Sequence, residues 1–259
     1  MIRHFRELYQ YRGLLLSLVQ RELKARYRGS VLGFFWTFLN PTLHMLVYWL
    51  LFGVISKNRV ENYPFFMFVG LLPWMWFSTS VNGGASAISD RRDLMTKVRF
   101  PAQVLPATVV TTNLCNFVFS LPLLLVMGII FGVWPTWHIV AFPLVVLTQL
   151  CFTLAVVYVV SALNVTFRDL QHIITNLMMM WFFITPVLYQ SSSIPEKYRL
   201  VMSLANPMAI LMTSYQAMFY EHRLPDAVPL LGLLVASGVL LWGASQLFES
   251  RREEFAESI

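Results

Sequence analysis

The chain has 259 residues, of which 57% are hydrophobic and 12% are charged, and its formal net charge is +6. Soluble domains carry about 25% charged residues, so this composition excludes a soluble enzyme and a nucleic-acid-binding domain. It predicts an integral membrane protein without a sizeable soluble domain, whose partners include anionic membrane lipids and no nucleic acid.

The first 28 residues are too charged to cross a membrane, but they carry a helical pattern. Arg12, Glu22 and Arg26 interrupt the apolar side of that pattern. We interpret it as a helix in the inner membrane interface, serving as an anchor or as an element that a cytoplasmic partner moves. The polar stripe comprises Arg6, Gln10, Ser17, Arg21, Lys24 and Arg28, and the apolar side comprises Phe5, Leu8, Leu15, Val19 and Leu23.

Six uncharged runs follow, beginning where RYRGSVLGFFWTFLNP (26–41) changes from basic to apolar. A helix needs about 20 apolar residues to cross a bilayer, and none of these runs contains Lys, Arg, Asp or Glu. The sequence therefore predicts an all-α membrane protein with six transmembrane helices. The predicted spans are 31–55, 64–88, 104–131, 139–163, 172–190 and 228–247.

Two short helices are predicted on the outer side, within 191–226 and before the last span. Asn206 suits a helix N-cap and Pro207 the first helical position, so the boundaries are roughly 196–205 and 207–220. Backbone of these re-entrant helices at membrane depth must be buried in protein or line a wet cavity. Pro73, Pro122 and Pro186 are expected to kink or end helices.

The basic residues predict the orientation, because cytoplasmic loops are enriched in Lys and Arg. Five of the 19 Lys and Arg residues fall on the outer side, and the rest fall on the inner side with both termini. The outer five are Lys57, Arg59, Lys197, Arg199 and Arg223.

Short charged connections lie on the inner side. The segment 89–101, SDRRDLMTKVRFP, is either a solvated loop or a docking helix for a soluble subunit. In NVTFRDLQH (164–172), Thr166 and Asp169 fit an N-terminal capping pattern for the next helix, and Arg168 and Asp169 could pair or contact a partner.

Motifs for intrinsic energy conversion are absent. The sequence has no G-x-x-x-x-G-K-[ST] loop and no H-E-x-x-H, G-x-S-x-G or C-x-x-C motif. Apart from His44 and His172, no predicted span contains an acid or base of the kind that ion-driven transporters use. A transporter of this composition needs energy from another subunit.

The motifs RYRGSVLGFFWTFLNP, LLPWMWF (71–77), KVRFP, NVTFRDLQHI, WFFITPVLY and Asn206-Pro207 resemble, in this order, the permease subunits of ABC-2-type polysaccharide exporters. The resemblance covers nearly the whole chain and is closest to the branch exporting O-antigen or teichoic acid on undecaprenyl diphosphate. It implies a multi-pass protein of the bacterial cytoplasmic (inner) membrane with both termini cytoplasmic.

The resemblance also implies two copies of this chain and two cytoplasmic ABC ATPase subunits, which hold ATP and Mg; this chain holds no cofactor, metal or catalytic residue. Segment 90–100 would be the coupling helix, and the N-terminal helix would be the interface helix. The implied coupling residues are Asp90, Arg91, Arg92, Asp93, Leu94, Lys97, Arg99, Arg168 and Asp169, and those of the interface helix are Arg21, Lys24, Arg26 and Arg28.

A glycan chain needs a continuous wet path, and aromatic faces can stack on sugar rings. Aromatic side chains also form interfacial belts and pack inside bundles. The candidate channel aromatics are Trp36, Tyr48, Trp181, Phe182, Phe183 and Tyr189.

Other functions stay open at this point: a capsular polysaccharide exporter, an ABC-2 exporter of drugs or lipids, or a membrane enzyme using 191–226. The candidate acid–base groups of such an enzyme are Glu196, Glu221, His222 and Asp226.

The predicted orientation has a direct test. A cysteine introduced near Ile259 should be protected from an impermeant thiol reagent added outside the cell, because the C-terminus is placed in the cytoplasm. Labelling from the outside alone would contradict this topology.

Overall fold

A computed structural model describes residues 9–55, 60–91, 101–167 and 169–251. Helices make up most of these ranges, and no strand occurs within them, so the all-α prediction is confirmed. The helices are α1 (Arg12–Tyr27), α2 (Trp36–Tyr48), α3 (Tyr63–Ala85), α4 (Val104–Ile130), α5 (Phe142–Thr166), α6 (Leu170–Ile184), α7 (Glu196–Ala205), α8 (Pro207–Phe219) and α9 (Ala227–Ser250).

Five helical stretches of the described chain are long and apolar enough to cross a membrane. Short irregular turns extend two of them, because 3₁₀ and π turns adjoin α2 and a 3₁₀ turn leads into α5. They correspond to the first four predicted spans and the last one. They are Gly33–Ile55, Tyr63–Ala85, Val104–Ile130, Trp137–Thr166 and Ala227–Ser250.

Helix α3 is the centre of the bundle and contacts α2, α4, α5, α6 and α8. Its most apolar stretch is 78% buried, against 11% for the stretch containing α2. Gly84 allows the close approach of α3 to α5, since a Cβ at this position would overlap the side chain of Val157. The most extensive helix pair is α5 with α9.

Helices α2 and α6 lie at the periphery of the bundle. Leu46, Val47 and Leu50 of the first span are exposed, as are Leu177 and Met180 of α6. These apolar faces can contact lipid without cost, because burial against protein is not required of an apolar surface in a hydrocarbon medium.

The fifth predicted span, 172–190, is helical only as part of α6, which has 15 residues. A helix of this length extends about 22 Å at 1.5 Å per residue, short of the roughly 30 Å hydrocarbon core. The helix ends because Thr185 adopts an extended conformation before Pro186, as the residue preceding a proline favours. The expectation that Pro186 ends a helix is confirmed, whereas Pro73 and Pro122 lie inside α3 and α4.

The chain after α6 is non-helical yet buried at residues 185–188. Side chains from two other helices satisfy its carbonyl groups. Gln216 Nε2 donates to the oxygen of Pro186 at 2.8 Å, and the hydroxyl of Tyr63 donates to the oxygen of Leu188 at 2.8 Å. Irregular backbone can lie inside a membrane bundle only when its polar groups find such partners.

Asn206 connects this break to the short helices that follow it. Its Oδ1 accepts hydrogen bonds from the backbone N–H of Ala209 (3.2 Å) and from Trp181 Nε1 (2.8 Å), while its Nδ2 donates to Thr185 Oγ1 (3.1 Å). The predicted N-cap is therefore confirmed, and the same amide also fixes the end of α6. Helix α8 packs among α3, α5 and α9, so its backbone is buried in protein.

The two ends of the bundle differ in charge. One end carries Arg21, Arg26, Arg91 and Arg251, and we call it the basic end. It comprises the C-terminal part of α1, the turn after α3, the starts of α4 and α6, and the ends of α5 and α9. The opposite end contains the break at 185–188 and α7.

Replacement of Asn206 by Ala should lower the melting temperature by about 5 °C, since losing a cap and stranding a buried indole N–H costs about 2 kcal/mol. Binding of a thiol-reactive fluorophore to the free, half-buried Cys115 and Cys151 reports unfolding.

Asn176→Ala provides the matched control, because the amide of Asn176 is exposed and, among the described residues, donates within its own helix to the oxygen of His172. Equal melting temperatures for the two variants would contradict the role given to Asn206.

Candidate functional site

Glu22 of α1 joins three elements at the basic end. Its carboxylate forms an ion pair with Arg91, which lies in the 3₁₀ turn Ser89–Arg91 after α3. The hydroxyl of Thr112 in α4 donates to Glu22 Oε2 at 3.0 Å. The side chains of Arg91 and Glu22 are only 21% and 24% exposed, so the pair is shielded from water and from salt.

The positive charge of Arg91 is largely buried, so it depends on Glu22 for neutralisation. Burial lowers the pKa of Arg91, and the neighbouring positive charge of Arg21 lowers that pKa further. The Nη1 atom of Arg91 is buried with no hydrogen-bond partner in the described part of the chain. Removal of Glu22 would leave an uncompensated, largely buried cation, which is strongly destabilising.

Helix α1 is also fixed to α4 by apolar and polar contacts on either side of Glu22. Leu18 packs in a buried cluster with Val104 and Leu105 at the start of α4. Arg26 Nη2 donates to Asn113 Oδ1 at 3.3 Å, eight residues further along α1 than Leu18.

The sequence pattern treats Glu22 and Arg26 as interruptions of an apolar face, whereas the structure uses both to hold α1 on the bundle. The sequence pattern missed that Glu22 and Arg26 face the bundle, although their spacing from Leu18 indicates it. Residues 18, 22 and 26 are each four apart, so they share one helix face.

The structure describes some of the predicted coupling and interface-helix residues, and the others lie outside the described ranges. Asp90 is exposed beside the largely buried Arg91, and Asp169 is exposed immediately before α6. On α1 and directly after it, Arg21, Lys24, Arg26 and Arg28 are exposed. The rest, Arg92, Asp93, Leu94, Lys97, Arg99 and Arg168, lie outside the described residues.

The capping pattern predicted for Thr166 and Asp169 is wrong. Asp169 occupies the N-cap of α6, but its side chain makes no cap hydrogen bond there. Thr166 is the last residue of α5, and its hydroxyl oxygen accepts from Arg251 Nη1 at 3.4 Å. This contact joins the ends of α5 and α9. Because Thr166 is still part of α5, it cannot be the N-cap residue that a capping box for α6 needs.

Four of the candidate aromatics meet at the junction of α2, α3 and α6. The rings of Tyr48 and Phe182 lie 5.2 Å apart between centroids, and Phe182 lies 5.3 Å from Phe183. Trp181 contacts this group through Phe77 and Trp74 of α3. Phe182 is buried while Phe183 is 52% exposed, so the cluster runs from the core to the uncovered face of α6.

Trp36 and Tyr189 lie apart from this aromatic cluster. The indole N–H of Trp36 donates to Ser30 Oγ at 3.2 Å near the basic end. The hydroxyl of Tyr189 donates to the oxygen of Ile184 at 2.6 Å, beside the break after α6. The structure therefore brings four of the six candidates together.

The structure brings only some of the candidate acid–base groups together, since Glu221 and Asp226 pair with Arg223 while His222 and Glu196 lie apart from them. Arg223 Nε lies 2.6 Å from Glu221 Oε2, and its Nη1 lies 3.3 Å from Asp226 Oδ1. His222 and Glu196 are exposed, as are these three side chains. Glu221, Arg223 and Asp226 line a cavity of about 330 Å³, in which Arg223 holds both carboxylates in ion pairs.

Comparison with known proteins agrees with the helical architecture. Residues 13–220 match the family described as ABC-2 type transporter. A Myxococcus xanthus protein, O-antigen export system permease protein RfbA, is 73% identical over 260 residues, covering 100% of both chains. A Klebsiella pneumoniae protein of the same name is 30% identical over 249 residues, covering 94% of each chain.

A more distant relative is the polysialic acid transport protein KpsM of Escherichia coli, 23% identical over 247 residues, which covers 93% of this chain and 95% of the relative. The matched family segment extends from the second residue of α1 to the end of α8, so it includes the Glu22–Arg91 junction and the break after α6. The chain is a multi-pass membrane protein that belongs to the ABC-2 transporter membrane family.

Proposed function

We propose that this chain is the membrane permease of an ATP-driven exporter for a lipid-linked surface polysaccharide, such as an O-antigen on undecaprenyl diphosphate. The observation that carries the proposal is the 73% identity, over the whole chain, to a protein named as an O-antigen export permease. The polysialic acid transport protein is a much weaker match at 23%, which favours O-antigen over a capsular cargo.

The proposed assembly contains two copies of this chain and two cytoplasmic ATPase subunits that hold ATP and Mg. The absence of a P-loop motif from this sequence supports a separate ATPase. The basic end faces the cytoplasm of a bacterial inner membrane, in agreement with the enrichment of Lys and Arg in cytoplasmic loops.

The Glu22–Arg91 junction supports a route for the motion that ATP drives. An ATPase that docks on segment 90–100 moves the turn containing Arg91. Because Glu22 contacts both Arg91 and Thr112, α1 and α4 move together with that turn. The motion therefore reaches the membrane helices through side chains that are largely shielded from water.

The aromatic cluster supports passage of a glycan near α2 and α6. Phe183 is exposed on a helix that the rest of this chain leaves largely uncovered, and Tyr48 and Phe182 adjoin it. Flat aromatic faces stack on sugar rings without selecting one sugar sequence. A second copy of the chain facing this surface would enclose the path.

Deletion of the gene should remove polysaccharide from the cell surface and accumulate lipid-linked glycan inside, because the polymer is still synthesised but not exported. Extraction and quantification of the lipid-linked glycan measures both pools. Unchanged surface glycan would favour a drug or lipid exporter, and purification of the chain without an accompanying ATPase would contradict the assembly.

Charge reversal of Arg91 to Glu should lower export about tenfold, equivalent to about 1.4 kcal/mol, while ATP hydrolysis by the purified assembly persists. The reason is that Glu22 then faces a like charge and releases the turn from α1. The swapped pair Glu22→Arg with Arg91→Glu should recover part of the export.

Arg12→Glu is the matched control, because Arg12 is an exposed arginine of the same helix whose guanidinium donates to the nearby oxygen of Tyr9. Export by Arg91→Glu at the level of this control would rule out the junction as a coupling element. The wider reversal of Arg91, Arg92 and Asp93 should also uncouple hydrolysis from export while the chain still inserts.

A further inference from the structure

A cleft of about 290 Å³, lined by polar and apolar side chains, lies between α1, α2, α3 and α4, one turn along α1 from Glu22 and apart from the aromatic cluster. Arg26 lies at its margin, and Asn40 of α2 and Asn113 of α4 line it. Arg26 and Asn40 are exposed while Asn113 is 4% exposed, so the cleft runs from the bundle surface into its interior. Asn113 lies nine residues into α4, about 13 Å from the start of that helix.

Polar groups in a hydrocarbon medium are costly unless they are satisfied, and two groups in this cleft lack acceptors. Trp76 lines the cleft and is 2% exposed, and its Nε1 has no hydrogen-bond partner within the described residues. Arg26 donates to Asn113 Oδ1, which leaves the Nδ2 amide of Asn113 as a donor without a described acceptor. Because Trp76 Nε1 is enclosed, the donors that the cleft offers to a ligand are the guanidinium of Arg26 and the Nδ2 amide of Asn113.

The charge of the cleft is positive. None of the described side chains that line it is acidic. The nearest carboxylate along α1 is Glu22, one turn before Arg26, but it is held by Arg91 and Thr112. The guanidinium of Arg26 is consequently available to an anion, and arginine binds phosphate oxygens with two parallel hydrogen bonds.

We propose that this cleft binds the phosphate-bearing headgroup of an anionic lipid. Arg26 contacts the phosphate oxygens, and the Nδ2 amide of Asn113 donates to an oxygen deeper in the cleft. The site is formed by side chains of one copy of the chain. The proposal therefore does not depend on whether the exported cargo is a polysaccharide.

The size and the walls of the cleft fit a headgroup rather than a whole lipid. Small-molecule pockets span about 300–1,000 Å³, and this cleft lies at the lower end of that range. Leu72, Met75 and Phe117 supply apolar surface beside the polar groups. The lipid chains would run along the exposed face of the first span, which is apolar at Leu43, Leu46 and Leu50.

Native mass spectrometry of the full-length chain with its copurifying subunits tests the site, using phosphatidylglycerol and diacylglycerol as matched lipids with and without phosphate. Phosphatidylglycerol should be retained over diacylglycerol. Arg26→Gln should weaken that retention about tenfold, as expected for loss of a charge-assisted hydrogen bond, and Asn113→Leu should weaken it as well.

Two variants separate loss of the site from loss of the fold. Arg12→Gln removes the same charge from the same helix outside the cleft and should bind like the unchanged chain. Arg26→Lys keeps the charge and should retain part of the binding. Melting temperatures from fluorophore labelling of Cys115 and Cys151 show whether each variant is folded.

Further ligands distinguish the sources of the phosphate. Stronger retention of polyprenyl phosphate than of phosphatidylglycerol supports a site for a lipid carrier, and equal retention supports a site for membrane phospholipid. Displacement by inorganic pyrophosphate supports recognition of phosphate without the lipid chain. Equal retention of diacylglycerol and phosphatidylglycerol, or equal binding by Arg26→Gln and Arg12→Gln, would overturn the proposal.

Discussion

The structure depends on one constraint: backbone polar groups that leave a helix inside the bundle must be satisfied by side chains, because hydrocarbon offers no hydrogen bonds. The break at 185–188 meets this constraint through Gln216 and Tyr63, which come from two different helices and donate to its carbonyl groups. The short helices α7 and α8 follow directly from that break. Their positions are set by polar contacts as much as by apolar packing.

The same constraint explains why α3 is central. Its apolar residues are buried on nearly all sides, and Gln149 of α5 donates to the oxygen of Pro73 at 2.8 Å, inside the helix. This bond gives the buried amide of Gln149 a partner inside the bundle, where hydrocarbon offers none. Helices α2 and α6 leave apolar faces uncovered, which is consistent with a family whose chains work beside other subunits.

Charge is concentrated where the helices leave the bundle. Glu22 and Arg91 form a largely buried pair at the basic end, and Gln103 and Glu249 contact each other at 3.3 Å nearby. These contacts link α1, α4 and α9 without placing a charge among the long apolar helices. Because Glu22 pairs with Arg91, Arg26 one turn further along α1 contacts Asn113 at the cleft instead.

The sequence by itself determined the all-α class, five of the long spans, the end of α6 at Pro186 and the cap at Asn206. These features follow from uncharged runs of sufficient length and from local backbone chemistry, which act over a few neighbouring residues. Only the tertiary structure decided that Glu22 pairs with Arg91, that Arg26 meets Asn113, and that four aromatics converge while Trp36 and Tyr189 do not. Such contacts join residues tens of positions apart, so they depend on which helix faces pack together, and hydropathy does not encode this in helices that are apolar on every side.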